Sequence, residues 1–125
     1  MRFNSNLLVG MNHEEENALE EAVFAFSTGD DEMAESILKK LTDQKSQSLE
    51  VYRALAEVSL SLKKLPQAEA SCRKALSINP DDLTSVVSLA RILVQQGDKD
   101  GAEDASAKAR LLGWKEELAE DESSL

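Results

Sequence analysis

The sequence predicts an all-α chain folded as a solenoid of three stacked, antiparallel helix hairpins, and three observations lead to that reading. Ala22, Ala56 and Ala90 lie 34 residues apart, as do Ala34, Ala68 and Ala102, and so do Leu41, Ala75 and Ala109. One spacing shared by three ladders marks a stacked-repeat architecture. Hydrophobic residues make up 42% of the chain but aromatics only 4%. The core is therefore built from Ala, Leu, Val and Ile in close layers, a composition that favours helices. Val, Ile and Thr are scattered, and nothing combines strand-like alternation with Gly or Pro punctuation.

The elements follow in order along 125 residues, a length that suits one domain. Residues 1–12 form an N-terminal arm, either frayed or a short extra helix laid over the first repeat. The three-repeat domain is expected at 13–116, as copies 15–48, 49–82 and 83–116. Asn12 is placed to start the first helix, followed by Glu14-Glu15-Glu16, whose charge complements a helix N-terminus. Gly29-Asp30 marks the turn inside the first copy and Gly97-Asp98 the turn inside the third. In the middle copy Tyr52, Leu55, Ala56, Ser59 and Leu62 follow the rhythm of one helix face until Leu65-Pro66 interrupts it. Pro66 suits the first turn of the next helix, where its missing N–H goes unused. That helix carries Ala68, Cys72, Ala75 and Leu76 inward and stops at Asn79-Pro80. Residues 117–125 are an acidic tail. No capping helix of useful length follows Trp114, so the apolar side of the last hairpin is left open, to dimerise or to be covered by Trp114 folding back.

The middle copy, with Tyr52, Leu55, Ala56, Ser59, Ala68, Cys72, Ala75 and Pro80 at matching spacing, resembles the tetratricopeptide repeat. Tyr52 stands for the usual Trp, Ala56 for Gly, Ser59 for Tyr and Cys72 for an aromatic. The resemblance extends over all three copies and implies a right-handed superhelix that binds other proteins. It also implies that the first helix of each repeat lines a concave groove. By register the lining residues are Glu16, Leu19, Val23 and Phe26; then Glu50, Arg53, Glu57 and Leu60; then Thr84, Val87, Arg91 and Val94. Leu19, Val23 and Phe26 form an apolar end, or pack beneath the arm carrying Leu7, Leu8 and Val9. Arg53 and Arg91 offer cations to a carboxylate or to backbone carbonyls, although Arg53 and Glu57 also have the spacing of an intrahelical ion pair. One branch of the family grips the terminal carboxylate of cytosolic heat-shock chaperones with a basic clamp. Here Leu19, Val23, Thr84 and Ser88 occupy the clamp positions, so that activity is not expected. The acidic, three-repeat translocator chaperones of type III secretion are also similar in size and charge.

The remaining chemistry is sparse. The formal charge of −10 is concentrated in residues 13–48 and in the tail, which argues against nucleic acid or anionic membranes as partners. No segment has the length of a signal sequence or spanning helix, and a cytoplasmic location is the default. His13 reads as solvated and Cys72 as a core thiol. The acidic clusters lack the spacing of a calcium loop. The expectation is a non-catalytic adaptor, scaffold or chaperone-like module without a cofactor or metal, holding a peptide or helix of another protein. The alternative is self-association through the last repeat, with Trp114 in the contact and a homodimer as the simplest product.

Overall fold

The computed structural model describes residues 11–44 and 48–123, with side chains through Asp121. Among these residues there are six α-helices and no strand: α1 (His13–Ser27), α2 (Asp31–Asp43), α3 (Leu49–Ser61), α4 (Leu65–Ile78), α5 (Leu83–Gln96) and α6 (Lys99–Ser123). Their starts carry the local signals of the sequence. The Asn12 side chain accepts from the Glu15 N–H at 2.8 Å, and the Glu15 carboxylate accepts from the Asn12 N–H at 3.0 Å, a reciprocal capping box. Asp30 caps α2, Asp82 caps α5, and Asp98 accepts from the Gly101 N–H. Pro66 sits in the first turn of α4 as expected.

The turn inside each hairpin uses one residue in the left-handed region, and these residues keep the repeat spacing: Gly29 (φ 92°), Lys63 (φ 63°) and Gly97 (φ 82°). Glycine suits this geometry because it has no Cβ. Lys63 is the exception.

Helices pair within hairpins as α1 with α2, α3 with α4, and α5 with α6; α2 packs on α3 and α4 on α5 to stack them. Among the described residues α1 touches α3 and α3 touches α5, with no comparable packing of α2 on α4 or α4 on α6. The odd-numbered helices therefore line the inside of the bend. The core falls into three clusters, the first two of which each join neighbouring hairpins. One cluster joins Leu19, Ala22, Leu38 and Leu41 to Val51, Leu55 and Val58; a second joins Leu60, Ala68 and Cys72 to Leu89, Ile92 and Ala102. A third closes α5 on α6 around Val86, Ala105 and Leu112. Ala34 and Ala68 are wholly buried, so small side chains at the ladder positions let the helices of a hairpin approach closely.

The C-terminus differs from expectation. Helix α6 runs unbroken for 25 residues, and the segment read as an acidic tail is helical through Ser123. Trp114 does not fold back over the last hairpin; it remains exposed. At the other end Met11 packs against the first core cluster, and the proposed arm residues Leu7, Leu8 and Val9 lie outside the described residues.

Candidate functional groove

The inner helices carry the predicted groove residues, and neighbouring repeats sort them into two kinds. Leu19 and Leu60 are buried in the core, and Phe26 is half-buried against the first cluster. The register had placed all three in the groove; the packing of the adjacent hairpin removes Leu19 and Leu60 from any ligand. Val23, Val87, Arg91 and Val94 are exposed, as is Thr84, while Glu16, Glu50, Arg53 and Glu57 are partly covered.

The charges are arranged across the hairpins. The Arg53 Nε donates to Asp82 at 2.9 Å, its Nη2 donates to the other Asp82 oxygen, and its Nη1 donates to Glu50 at 2.6 Å. A guanidinium forked onto one carboxylate and shared with another is a fixed structural link, which ties α3 to the start of α5. Burial pushes the Asp82 carboxyl up, but the bonds from Arg53 and Ser85 outweigh it and hold the group below the ordinary carboxylate range. Arg53 is thus not the open cation that its position suggested, and it does not pair with Glu57. Glu57 instead accepts from Ser88 Oγ at 2.5 Å and from Arg91 Nη1 at 3.3 Å. That last contact is long and the Arg91 side chain is 55% exposed, so Arg91 is the groove cation still able to reach a ligand.

Val23, Glu57 and Arg91 form one row by register, each 34 residues from the next, with Val87 one turn before Arg91 on α5. The exposed valines thus stand at the two ends of the row, Val23 on α1 and Val87 on α5, with Glu50 and Glu57 of α3 between them and Arg91 as the exposed cation. Such a row can take apolar anchors and hydrogen-bond a peptide through Arg91. The four clamp positions carry no cation: Leu19 is buried, Val23 and Thr84 are exposed, and Ser88 is bound to Glu57.

Outside the groove, a second inter-hairpin network escaped sequence reasoning. Lys64 Nζ donates to both Glu35 oxygens at 2.9 and 2.8 Å, and Gln67 Nε2 donates to Glu35 and to Ser59 Oγ. This explains how a buried Ser59 stands where the family pattern has an aromatic. The only available signal was Glu35 on the otherwise apolar face of α2. Cys72 is buried, its Sγ donating to the Ser85 carbonyl at 3.4 Å, and burial pushes the thiol up to about 12. It is therefore a core thiol, with no thiolate available at neutral pH. Glu15 and Asp30 of the acidic clusters are helix caps, and Asp31 accepts from Ser61 Oγ at 2.5 Å. Among the described residues no group of three or more His, Cys, Asp or Glu is placed to hold a metal ion. No helix among them is long and apolar enough to cross a membrane.

The last hairpin ends in an open hollow of about 620 Å³ lined by Val94, Ala102, Ser106 and Arg110. Their equivalents in the middle repeat, Leu60, Ala68, Cys72 and Leu76, belong to or pack on the cluster covered by the third hairpin. Val94 is 65% exposed where Leu60 is 4%. Among the described residues no further hairpin packs on this side of the third, as the third packs on the second.

Comparison with known proteins agrees with this geometry. Residues 49–82 match the family model described as tetratricopeptide repeat. Among solved structures, the chain is similar to the second tetratricopeptide-repeat domain of Spaghetti (RPAP3), a structure bound to the HSP90 peptide SRMEEVD. The TM-score is 0.76 at 15% identity, covering 80% of this chain and 93% of that one. At that identity the likeness is one of fold. No curated protein sequence matches the chain. Residues 49–82 thus match a tetratricopeptide repeat, and the chain shares the fold of three hairpins in an all-α helical solenoid.

Proposed function

We propose that the chain is a non-catalytic adaptor or chaperone-like module of the cytoplasm that holds a segment of another protein in its concave groove. The observation that carries this is the pair of solvent-exposed valines on the inner helices, Val23 on α1 and Val87 on α5, the latter one turn from the exposed Arg91. Apolar side chains left open on the concave side of a rigid solenoid are the usual anchor points for an extended or helical peptide. The RPAP3 domain was solved with an acidic peptide, but this groove presents Glu50 and Glu57 and lacks a cationic clamp, so an acidic chain end is the wrong ligand here. A segment with apolar anchors and neutral or basic flanks fits.

The test is affinity capture from native lysate with wild type and with Val87→Ser/Arg91→Glu, both changed residues being exposed. Arg53 is avoided because its replacement would break the link to Asp82. A protein retained by wild type and lost by the variant supports the groove; identical retention by both refutes it. In parallel, calorimetric titration with SRMEEVD is expected to give no measurable heat of binding.

A second reading, self-association through the open end of the third hairpin, is favoured by the exposure of Val94 over the hollow. Light scattering decides it: a strict monomer at high concentration excludes a homodimer or longer stack.

A further inference from the structure

Each end of the stack leaves open a face that is covered inside it. Leu55 and Val58 of α3, and Leu89 and Ile92 of α5, are the residues with which a hairpin packs on the one before it, and all four are buried. Their repeat equivalents on α1 are Glu21 and Phe24, both exposed, Phe24 at 69%. Beside them an open hollow of about 560 Å³ lies between Glu14, Ala18 and Glu21 of α1 and Ile37 and Leu41 of α2. At the other end, the hollow on the third hairpin presents Val94 and Ala102 where the middle repeat has Leu60 and Ala68 clustered with Ile92. A stacked-repeat protein buries such faces against a neighbouring repeat.

We propose that the hollow on the third hairpin receives the α1 face of a second copy, so that copies stack head to tail with Phe24 of one seated against Val94 and Ala102 of the next. This rests on the self-association reading and gives it its faces and its polarity. Charge selects the pairing. The hollow on the third hairpin carries Lys99 and Arg110 against one acid, Glu103, whereas the hollow on the first carries Glu14, Glu15 and Glu21 against one base, Lys40. Glu15 belongs to the Asn12 capping box. The side chains of Glu14, Glu21, Lys99 and Arg110 enter no ion pair or hydrogen bond among the described residues. Within the chain, Leu89 shares a cluster with Cys72 and Leu76, apolar against apolar. At the equivalent positions across two copies Glu21 faces Ser106 and Arg110, so acid and base stand opposite each other on the two open faces. A dimer joined hollow to hollow sets Lys99 and Arg110 against themselves, and one joined through two α1 faces sets Glu14 and Glu21 against themselves. A contact between two different faces extends to a ring or an open stack unless one face is blocked.

Phe24→Asp blocks one face and Val94→Asp the other. Both side chains are exposed, and a circular dichroism spectrum matching wild type verifies that each variant folds. Light scattering over a concentration series is expected to show assemblies that grow with concentration for wild type and a monomer for each variant alone. An equimolar mixture of the two variants is expected to give a dimer that grows no further, because only the intact α1 face of the Val94→Asp copy and the intact hollow of the Phe24→Asp copy can meet. Wild type that stays monomeric defeats the self-association reading and this proposal with it. Association of wild type that persists in either variant alone leaves that reading standing and overturns the head-to-tail pairing, as does a mixture that stays monomeric. Charge reversal tests the selection itself. Arg110→Glu and Glu21→Arg are each expected to weaken association by about tenfold or more, and the double variant to regain it; a double variant no better than the single ones overturns the pairing.

Discussion

Asp82 both caps α5, accepting from the Ser85 N–H at 3.1 Å and from its Oγ at 2.6 Å, and holds the forked guanidinium of Arg53. Asp82→Ala removes the cap and leaves a half-buried guanidinium with Glu50 alone, a loss of about 2–3 kcal/mol measurable by urea denaturation. Asp82→Asn keeps most of the cap and is expected to lose less. Glu35 is a similar case, held low chiefly by the hydrogen bond from Lys64 and then by that from Gln67. Because the folded values of both carboxyls are depressed, their contribution is complete above the unfolded carboxylate value near about 4 and disappears as pH falls through the lower folded values. The urea midpoint should hold from neutral pH to about 5 and fall below about 4, with a shallower fall for Asp82→Asn. At the hairpin turn, Lys63 has φ 63° where its repeat equivalents are glycine. Lys63→Gly relieves the Cβ strain and should raise stability by about 0.5–1 kcal/mol. The buried Cys72 thiol, pushed up to about 12, should react with a thiol-specific disulfide reagent only as fast as the protein opens. Rapid labelling of the native protein would place it elsewhere.

At the scale of elements, α6 is two helices in one: a packed half through Leu112 and an overhang beyond it. An uncovered stretch this short has little stability of its own. Amide exchange from 114 onward should therefore be orders of magnitude faster than in α4, whose Ala68, Cys72 and Ala75 are all buried. Gly113 sits where the helix leaves its support, and an added Cβ would meet nothing within 4 Å. Gly113→Ala should raise helicity and stability by up to about 1 kcal/mol, read by circular dichroism and thermal melting. The hairpins themselves were legible in the sequence because period, glycine turns and Pro66 are local or repeated signals. The end of α6 was not. Its acidic residues resemble a solvated tail, yet Ala, Leu and Glu retain helix propensity without a packing face. The partner of Arg53 was equally hidden, because Asp82 is 29 residues away and only the stacking of α5 on α3 brings them together.

In the whole molecule, exposure follows position in the stack. Phe24 is exposed on α1, while its repeat equivalents Val58 and Ile92 are buried. Val58 packs against the preceding hairpin, and no hairpin of the described chain precedes α1. Val94 repeats the pattern at the other end. Register alone gives the direction of a side chain but not the depth to which the next repeat covers it, which is why Leu19 and Leu60 fall in the groove by register and in the core by packing. Under the proposed function, a protein partner touches the inner helices at Val23 and Val87. The most direct test is site-specific photo-crosslinking in the cells that make the protein, with the reactive residue at exposed Val87 inside the bend or at exposed Lys74 on α4 outside it. The account predicts a discrete crosslinked partner from Val87 and none from Lys74; a partner from Lys74 with none from Val87 would contradict it.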